Sequence, residues 1–330
     1  MALERDVLIT GGAGYIGSRL VKKLLDKGSK VRVLDSLLFG SMGIRDLMNH
    51  PNLRFMQGDV RHIEDLAQAV KGVDSIVHLA AIVGDPACKL NEDATLTVNC
   101  EATKALVEIC NHYSVERLIF ASSCSVYGAC EDIILNEGSF LNPVSLYART
   151  RIASEKIILD RASENLAPTV VRLGTAYGYS ERMRFDLVVN ILTAKAVMEG
   201  TMTIYHGEVW RPLVHVDDAA NAYVTILEAQ KEKIDREIFN VGSNDQNYQM
   251  KEVGILVEEA VPDSRLLFVN ETEDHRNYRV CFDKIHYMLG YKTEKTVKNA
   301  VREIRENLLN QTVKNYKNDI YYNVRYKEYR

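Results

Sequence analysis

The chain carries no large excess of one charge. Its 41 lysines and arginines stand against 45 aspartates and glutamates, a net charge of −4. That balance argues against a nucleic-acid binder, which usually shows a basic excess. Long apolar runs are missing as well. None reaches the roughly 20 residues of a membrane-spanning helix, and the opening MALERDVLIT sets charges ahead of only a short apolar run, unlike a secretory signal. Cysteines are few: Cys88, Cys100, Cys110, Cys124, Cys130 and Cys281, with no C-x-x-C and no zinc spacing to a histidine. Reduced, mostly buried thiols in a cytoplasmic protein, and no metal, are expected. Repeats and low-complexity tracts are absent too. What remains, 46% hydrophobic and 26% charged over 330 residues, is an ordinary soluble balance, enough for a large core or two lobes sharing a sheet.

Short apolar runs alternate with amphipathic helical patterns through the first half. Residues 6–10, 30–35, 53–59, 74–81, 117–123 and 168–174 read as strands, each Val-, Ile- or Leu-rich and ending near Gly, Asp, Ser or Ala. Between them, 15–28 places Ile16, Leu20, Leu24 and Leu25 on one face and stops at Gly28, and 95–113 reads as one more helix. Such alternation predicts an α/β, doubly wound parallel sheet of Rossmann type, covered on both faces. After about residue 176 the rhythm weakens. Helices at 185–199 and 217–230 and a strand at 237–241 are expected, followed by a smaller mixed lobe. The Tyr-rich tail NYKNDIYYNVRYKEYR reads equally as a mobile end or as an arm over a neighbouring subunit.

Gly11, Gly14 and Gly17 follow the first strand and open the first helix. A tight turn there needs glycine, and a pyrophosphate needs backbone N–H groups with no Cβ in the way. The helix N-terminus then offers unpaired donors and a positive dipole end. Asp35 closes the second strand, placed to accept hydrogen bonds from the ribose hydroxyls of an adenosine and to repel a 2′-phosphate. Ser36 and Leu37 follow it where an NADP site often carries Arg, so NAD is the expected cofactor. The alternative is a tight turn that holds no ligand.

TGGAGYIG (10–17), GDV (58–60), HLAA (78–81), SSCSVYG (122–128), YARTR (147–151) and RPLVHVDD (211–218) stand in the order seen in extended short-chain dehydrogenases. From about residue 5 to 310 the chain resembles, more narrowly, the NAD-dependent nucleotide-sugar epimerase/dehydratase family. The resemblance implies an NAD-binding domain over 1–176, with 210–242 returning to it, and a substrate lobe over 177–330. Tyr15 and Ile16 fall inside the cofactor loop. Asp59 and Val60 would flank adenine, Leu79, Ala80 and Ala81 would pass under the ribose and phosphates, and Asn99 would lie behind the nicotinamide half.

In that family a Tyr, a Lys four residues later and a Ser or Thr drive the chemistry. Tyr147 and Ser123 match; Arg151 stands where Lys is expected. The i, i+4 spacing puts Tyr147 and Arg151 on one helix face, about 6 Å apart at Cβ. To act as a base near neutrality, a phenol of pKa roughly 10 must be stabilised as phenolate by roughly 4 kcal/mol. A fixed cation nearby favours that state. Arg keeps the charge, but its planar fork is bulkier and bonds in set directions. Tyr147 is thus expected to remain the base, with Arg151 supplying the charge and also holding the nicotinamide ribose hydroxyls, the second role that the resemblance implies for the Lys. The other reading is a decayed site that binds NAD without catalysis.

After Ser123, the 4,6-dehydratases of the family carry Asp and Glu; here Cys124 and Ser125 stand, which disfavours dehydration. The resemblance gives Arg211 the substrate diphosphate, with Arg276 and Asn190 as further candidates. It places Thr175 where many members carry Asn. The expected activity is a nucleotide-sugar epimerase working through a 4-keto sugar. The runner-up is a 4-dehydrogenase releasing the ketone. The expected partners are a nucleotide-diphosphate sugar and a second copy of the chain, as a homodimer or larger homo-oligomer.

Overall fold

A computed structural model describes residues 5–269 and 276–325. The first half runs β1 (Asp6–Thr10), α1 (Tyr15–Asp26), β2 (Lys30–Asp35), β3 (Leu53–Gln57), α2 (Ile63–Val70), β4 (Ser75–His78), α3 (Asp85–Leu90), α4 (Glu92–Leu96), α5 (Ala102–His112), β5 (Arg117–Ser123), β6 (Ala129–Leu135), α6 (Leu146–Arg161) and β7 (Ala167–Leu173). There follow β8 (Thr175–Tyr177), α7 (Val188–Glu199), β9 (Thr201–Tyr205), β10 (Trp210–His215), α8 (Val216–Glu228), β11 (Glu237–Val241), β12 (Asn247–Gln249), α9 (Met250–Ala260), β13 (Arg265–Val269), β14 (Asn277–Val280), α10 (Asp283–Leu289) and α11 (Val297–Leu309).

Seven parallel strands form the main sheet in the order β3-β2-β1-β4-β5-β7-β11. Alternate residues of each strand point to opposite faces. Val7, Ile9, Val31 and Val33 therefore pack with Leu20, Val21 and Leu24 of α1 and with Tyr223 and Ile226 of α8. Leu8, Leu34, Ile76 and Phe120 pack on the other side with Leu66, Leu106, Val107 and Ile158. The order reverses between β1 and β4, and in open α/β sheets ligands bind beyond the strand ends at such a point.

Two expected elements differ. The helix at 95–113 is interrupted by a wider π turn over Thr97–Glu101 before α5 begins. There the Asn99 carbonyl accepts from both Thr103 Oγ1 and Ser154 Oγ, each at 2.7 Å. Residues 210–242 return only in part: α8 and β11 join the main domain, whereas β10 pairs with β8 and β12 in a separate three-stranded sheet. Pro212 sits within that strand, in register with Asn247. The smaller lobe adds the parallel pairs β9–β13 and β6–β14, and α7, α9 and α11 close over Val189, Met202, Val253 and Val301. The part of the tail up to residue 325 folds back on its own chain. Tyr316, Tyr321 and Tyr322 bury against Met183 and Phe185, and Phe185 N–H donates to the Tyr321 carbonyl at 3.0 Å.

Candidate functional site

The end of β1 turns through Gly11 at φ +74°. A Cβ on Gly11 would stand 2.8 Å from the Ala80 nitrogen, and one on Gly17 would stand 2.2 Å from the Gly11 carbonyl oxygen. Only glycine lets the loop pass so close to the end of β4 and lets α1 start so close to the loop. Gly14 precedes α1, whose first turn has no side-chain cap and no acidic residue. The N–H groups there stay available to an anion. Asp35 accepts from Ala13 N–H at 2.9 Å and Leu37 N–H at 2.8 Å. Burial pushes its carboxyl above the usual range, while those two amides and the charge of Arg182 oppose the rise. Asp59 is gripped by Arg61, with Nη2–Oδ2 at 2.6 Å. Burial raises its pKa, but the Arg61 bonds and charge win and hold it low.

A cavity of about 610 Å³ opens from this loop. It is lined by Gly11, Gly14, Tyr15, Ile16, Gly17, Asp35, Ser36, Leu37, Asp59, Val60, Leu79, Ala80 and Ala81 at one end. Ser123, Tyr147, Arg151, Thr175, Arg211 and Arg276 line the other.

At that second end, Ser145 caps α6 by accepting from Ala148 N–H at 3.2 Å. Tyr147 and Arg151 then project from consecutive turns. Arg151 is 2% exposed and turned inward. Its guanidinium carbon lies 5.4 Å from the Tyr147 ring centroid and 5.2 Å from that of Phe120, and Nη1 donates to the Ala121 carbonyl at 3.2 Å. Nε and Nη2 are buried with no hydrogen-bond partner among the described residues. Burial pushes the Tyr147 phenol up; the charges of Arg151 and Arg184 and a hydrogen bond with Ser123 pull it back, and Cys88 adds to the rise. On its own, then, the protein holds this phenol above its ordinary value, so the expected fall is not supplied by Arg151 alone.

Ser123 ends β5, and its hydroxyl accepts from Ser125 N–H at 3.2 Å. Cys124 points away from the cavity and donates to the Arg172 carbonyl at 3.2 Å; burial pushes its thiol far up. Ser125 lines the cavity, and its buried Oγ has no partner among the described residues.

Two expected site residues do not line the cavity. Asn190 is fully buried. Its amide accepts from Gly178 N–H and donates to the Arg184 carbonyl and the Tyr15 hydroxyl. Asn99 is equally buried, and its amide clasps both backbone groups of Ile82 and donates to Thr150. Both side chains are engaged in holding backbone. Arg211 donates to the carbonyls of Trp210 and Arg276. Arg276 pairs with Asp85 at 3.2 Å.

Phe39, Arg182, Arg184, Tyr278 and Asn323 also line the cavity, none of them expected from sequence. Arg184 forks onto Asp186 through Nε–Oδ1 at 3.0 Å and Nη2–Oδ2 at 2.8 Å. The one available signal is the pair of arginines in SERMRFD; Asn323 has none. Among the described residues no cluster of His, Cys, Asp and Glu is suited to a metal, and no helix is long and apolar enough to cross a membrane.

The cavity fits a dinucleotide: a Cβ-free cradle, an uncapped helix start, a ribose-side carboxylate and two orphaned guanidinium nitrogens deep inside. Comparison with known proteins agrees. Residues 7–242 match the model of the NAD dependent epimerase/dehydratase family. The uncharacterized protein y4nG of Sinorhizobium fredii is 31% identical over 227 residues, covering 67% of this chain; the chain spans about half of that relative, 53%. UDP-glucose 4-epimerase of Thermus thermophilus, solved in complex with NAD, superposes with TM-score 0.80 at 26% identity, covering 93% of this chain and 99% of that one. DesIV of Streptomyces venezuelae, a dTDP-glucose 4,6-dehydratase solved with NAD bound, gives TM-score 0.83 at 25% identity, covering 93% and 98%.

Proposed function

The chain belongs to the NAD dependent epimerase/dehydratase family, and from that premise we propose that it is a nucleotide-sugar epimerase acting through a 4-keto sugar. Bound NAD supplies a reversible hydride acceptor. Everything else falls to the chain. Tyr147 takes the proton of the sugar C4 hydroxyl onto its phenolate oxygen and later returns it. Ser123 holds the same sugar oxygen by its hydroxyl. Arg151 favours the phenolate by its fixed charge, which burial strengthens. Arg211 and Arg276, at the far end of the cavity, take the sugar-nucleotide diphosphate, for which a planar fork is well shaped.

The observation that carries this reading is the inward guanidinium of Arg151 beside the Tyr147 ring, on the same cavity wall as Ser123. A decayed site gives no reason to keep an arginine 2% exposed there. Dehydration is disfavoured because Cys124 faces away from the cavity and Ser125 brings only a neutral hydroxyl.

The test is a panel of UDP-, GDP-, CDP- and dTDP-sugars, followed by bound-cofactor absorbance and product analysis. An epimerase returns the C4 epimer with no net change in cofactor. Accumulating ketone with reduced cofactor would instead identify a 4-dehydrogenase. NAD binding with no sugar-dependent signal across the panel would refute catalysis.

A further inference from the structure

We propose that residues 313–323 form a strap across the cofactor cavity, latched by Asn323, and that NAD enters and leaves when the strap lifts. The inference rests on the cofactor and not on the epimerase reading.

The segment follows α11 through residues 309–312, which are exposed at every position and put Gln311 at φ +58°. Beyond that turn the chain has two sides. Lys314, Asn315, Lys317, Asn318 and Asp319 are exposed, while Val313, Tyr316, Tyr321, Tyr322 and Asn323 are buried. One face meets water and the other meets the protein, so the stretch is an outer layer. The short helical turn that begins at Asn323 packs against α3. Asn323 itself lines the cavity, and its amide spans two other lining residues. Its Oδ1 accepts from Arg182 Nη2 at 2.7 Å, and its Nδ2 donates to the Val83 carbonyl at 3.4 Å. Val83 lies between β4 and α3, and Arg182 between β8 and α7. A single side chain therefore ties two loops of the cavity wall together.

The other ties stand outside the cavity. Tyr316 and Tyr321 meet the Phe185 ring edge-on, each with centroids 5.6 Å apart, and Phe185 N–H donates to the Tyr321 carbonyl at 3.0 Å. Tyr316 Oη donates to Glu199 of α7, which also pairs with Lys317 at 2.7 Å. Neither Phe185 nor Glu199 lines the cavity. The segment joins no sheet. A stretch held by a few side chains opens at lower cost than the seven-stranded sheet beneath it. Once Asn323 lets go, the loops of Val83 and Arg182 are no longer tied, and that side of the cavity is uncovered. Closed, the strap keeps a seated dinucleotide in place.

The test is stopped-flow fluorescence of NADH with the full chain and no sugar present. Binding is followed with the chain freed of cofactor, and release by mixing the loaded chain with excess NAD. A strap that gates the cavity, once loosened, speeds both directions. Asn323→Ala is expected to raise both rates by about five- to tenfold, the scale of one or two hydrogen bonds, with Kd changed by less than about twofold. Glu199→Ala, a surface change outside the cavity, is expected to raise both by about threefold. Faster release with an unchanged binding rate in Asn323→Ala would mark a direct cofactor contact and overturn the strap. Parental rates in Glu199→Ala would overturn it as well, and that variant decides where Asn323→Ala fails to fold.

Discussion

A phenol can serve as a base at neutral pH only if its surroundings offset the cost of its charge, and around Tyr147 those surroundings are divided. Burial and Cys88 push its pKa up; Arg151, Arg184 and Ser123 pull it down. The hydroxyl itself is what the reaction needs. Tyr147→Phe keeps the ring and its contact with Arg151 and removes only the proton carrier. The variant is expected to bind NAD like the parent and to lose roughly 10²- to 10⁴-fold in kcat. Full turnover in the phenylalanine variant would remove Tyr147 from the chemistry. At this scale much of the site was legible. The spacing of Gly11, Gly14 and Gly17, the carboxylate of Asp35, and the trio Ser123, Tyr147 and Arg151 all lead to one cavity. Asn99 and Asn190 fall outside the cavity lining, because spacing locates a residue on an element but does not say whether its amide is already engaged by backbone.

The helix that carries Tyr147 and Arg151 is held in register by a residue one turn further on. Glu155 accepts from Ser122 Oγ of β5 and forks with Arg172 of β7, whose Nη2 lies 2.7 Å from Glu155 Oε2. Both partners of the ion pair are at most 5% exposed. Glu155→Ala would leave Arg172 charged and unpaired in the interior. A loss of about 3–5 kcal/mol is expected in urea unfolding, and a loss below about 1 kcal/mol would contradict the view that this pair locks α6 to the sheet. The seven sheet strands were readable because each is a short apolar run within a regular alternation. The π turn at Thr97–Glu101 was not, since a single added residue leaves the helical pattern almost unchanged. Strands such as β12 and β14, three and four residues long, pair with distant segments and carry too little local pattern to be read.

At the scale of the molecule, the smaller lobe is held together by groups far apart in sequence. His215 of β10 lies 3.1 Å from Glu303 of α11, which also takes Lys295 at 2.8 Å. Burial opposes the charge of Glu303, yet these two partners lower its pKa from 4.5 to about 2. A carboxyl depressed in the folded state adds stability above its unfolded pKa, and that contribution fades as pH falls toward the folded value. Glu303→Gln should therefore lower stability at neutral pH and flatten its decline between about pH 4.5 and 2. Equal acid slopes in parent and variant would contradict this. The strand–helix rhythm fades after about residue 176, where the chain leaves the main sheet for the short strand β8. The closing of the tail over the cavity was not legible in the sequence: Asn323 and Arg182 are 141 residues apart, and nothing local in either segment signals the other.

Catalysis here turns on whether a fixed guanidinium charge makes Tyr147 acidic enough, and the acidic limb of the pH–rate profile reports it. Formation of the C4 epimer from a turned-over sugar nucleotide would be followed against pH in the parent, Arg151→Lys and Arg151→Met. If the charge acts in this way, Lys keeps the limb near its parental position and Met moves it to higher pH with a lower rate at neutrality. A limb that stays in place in Arg151→Met, with rate undiminished, would contradict that role.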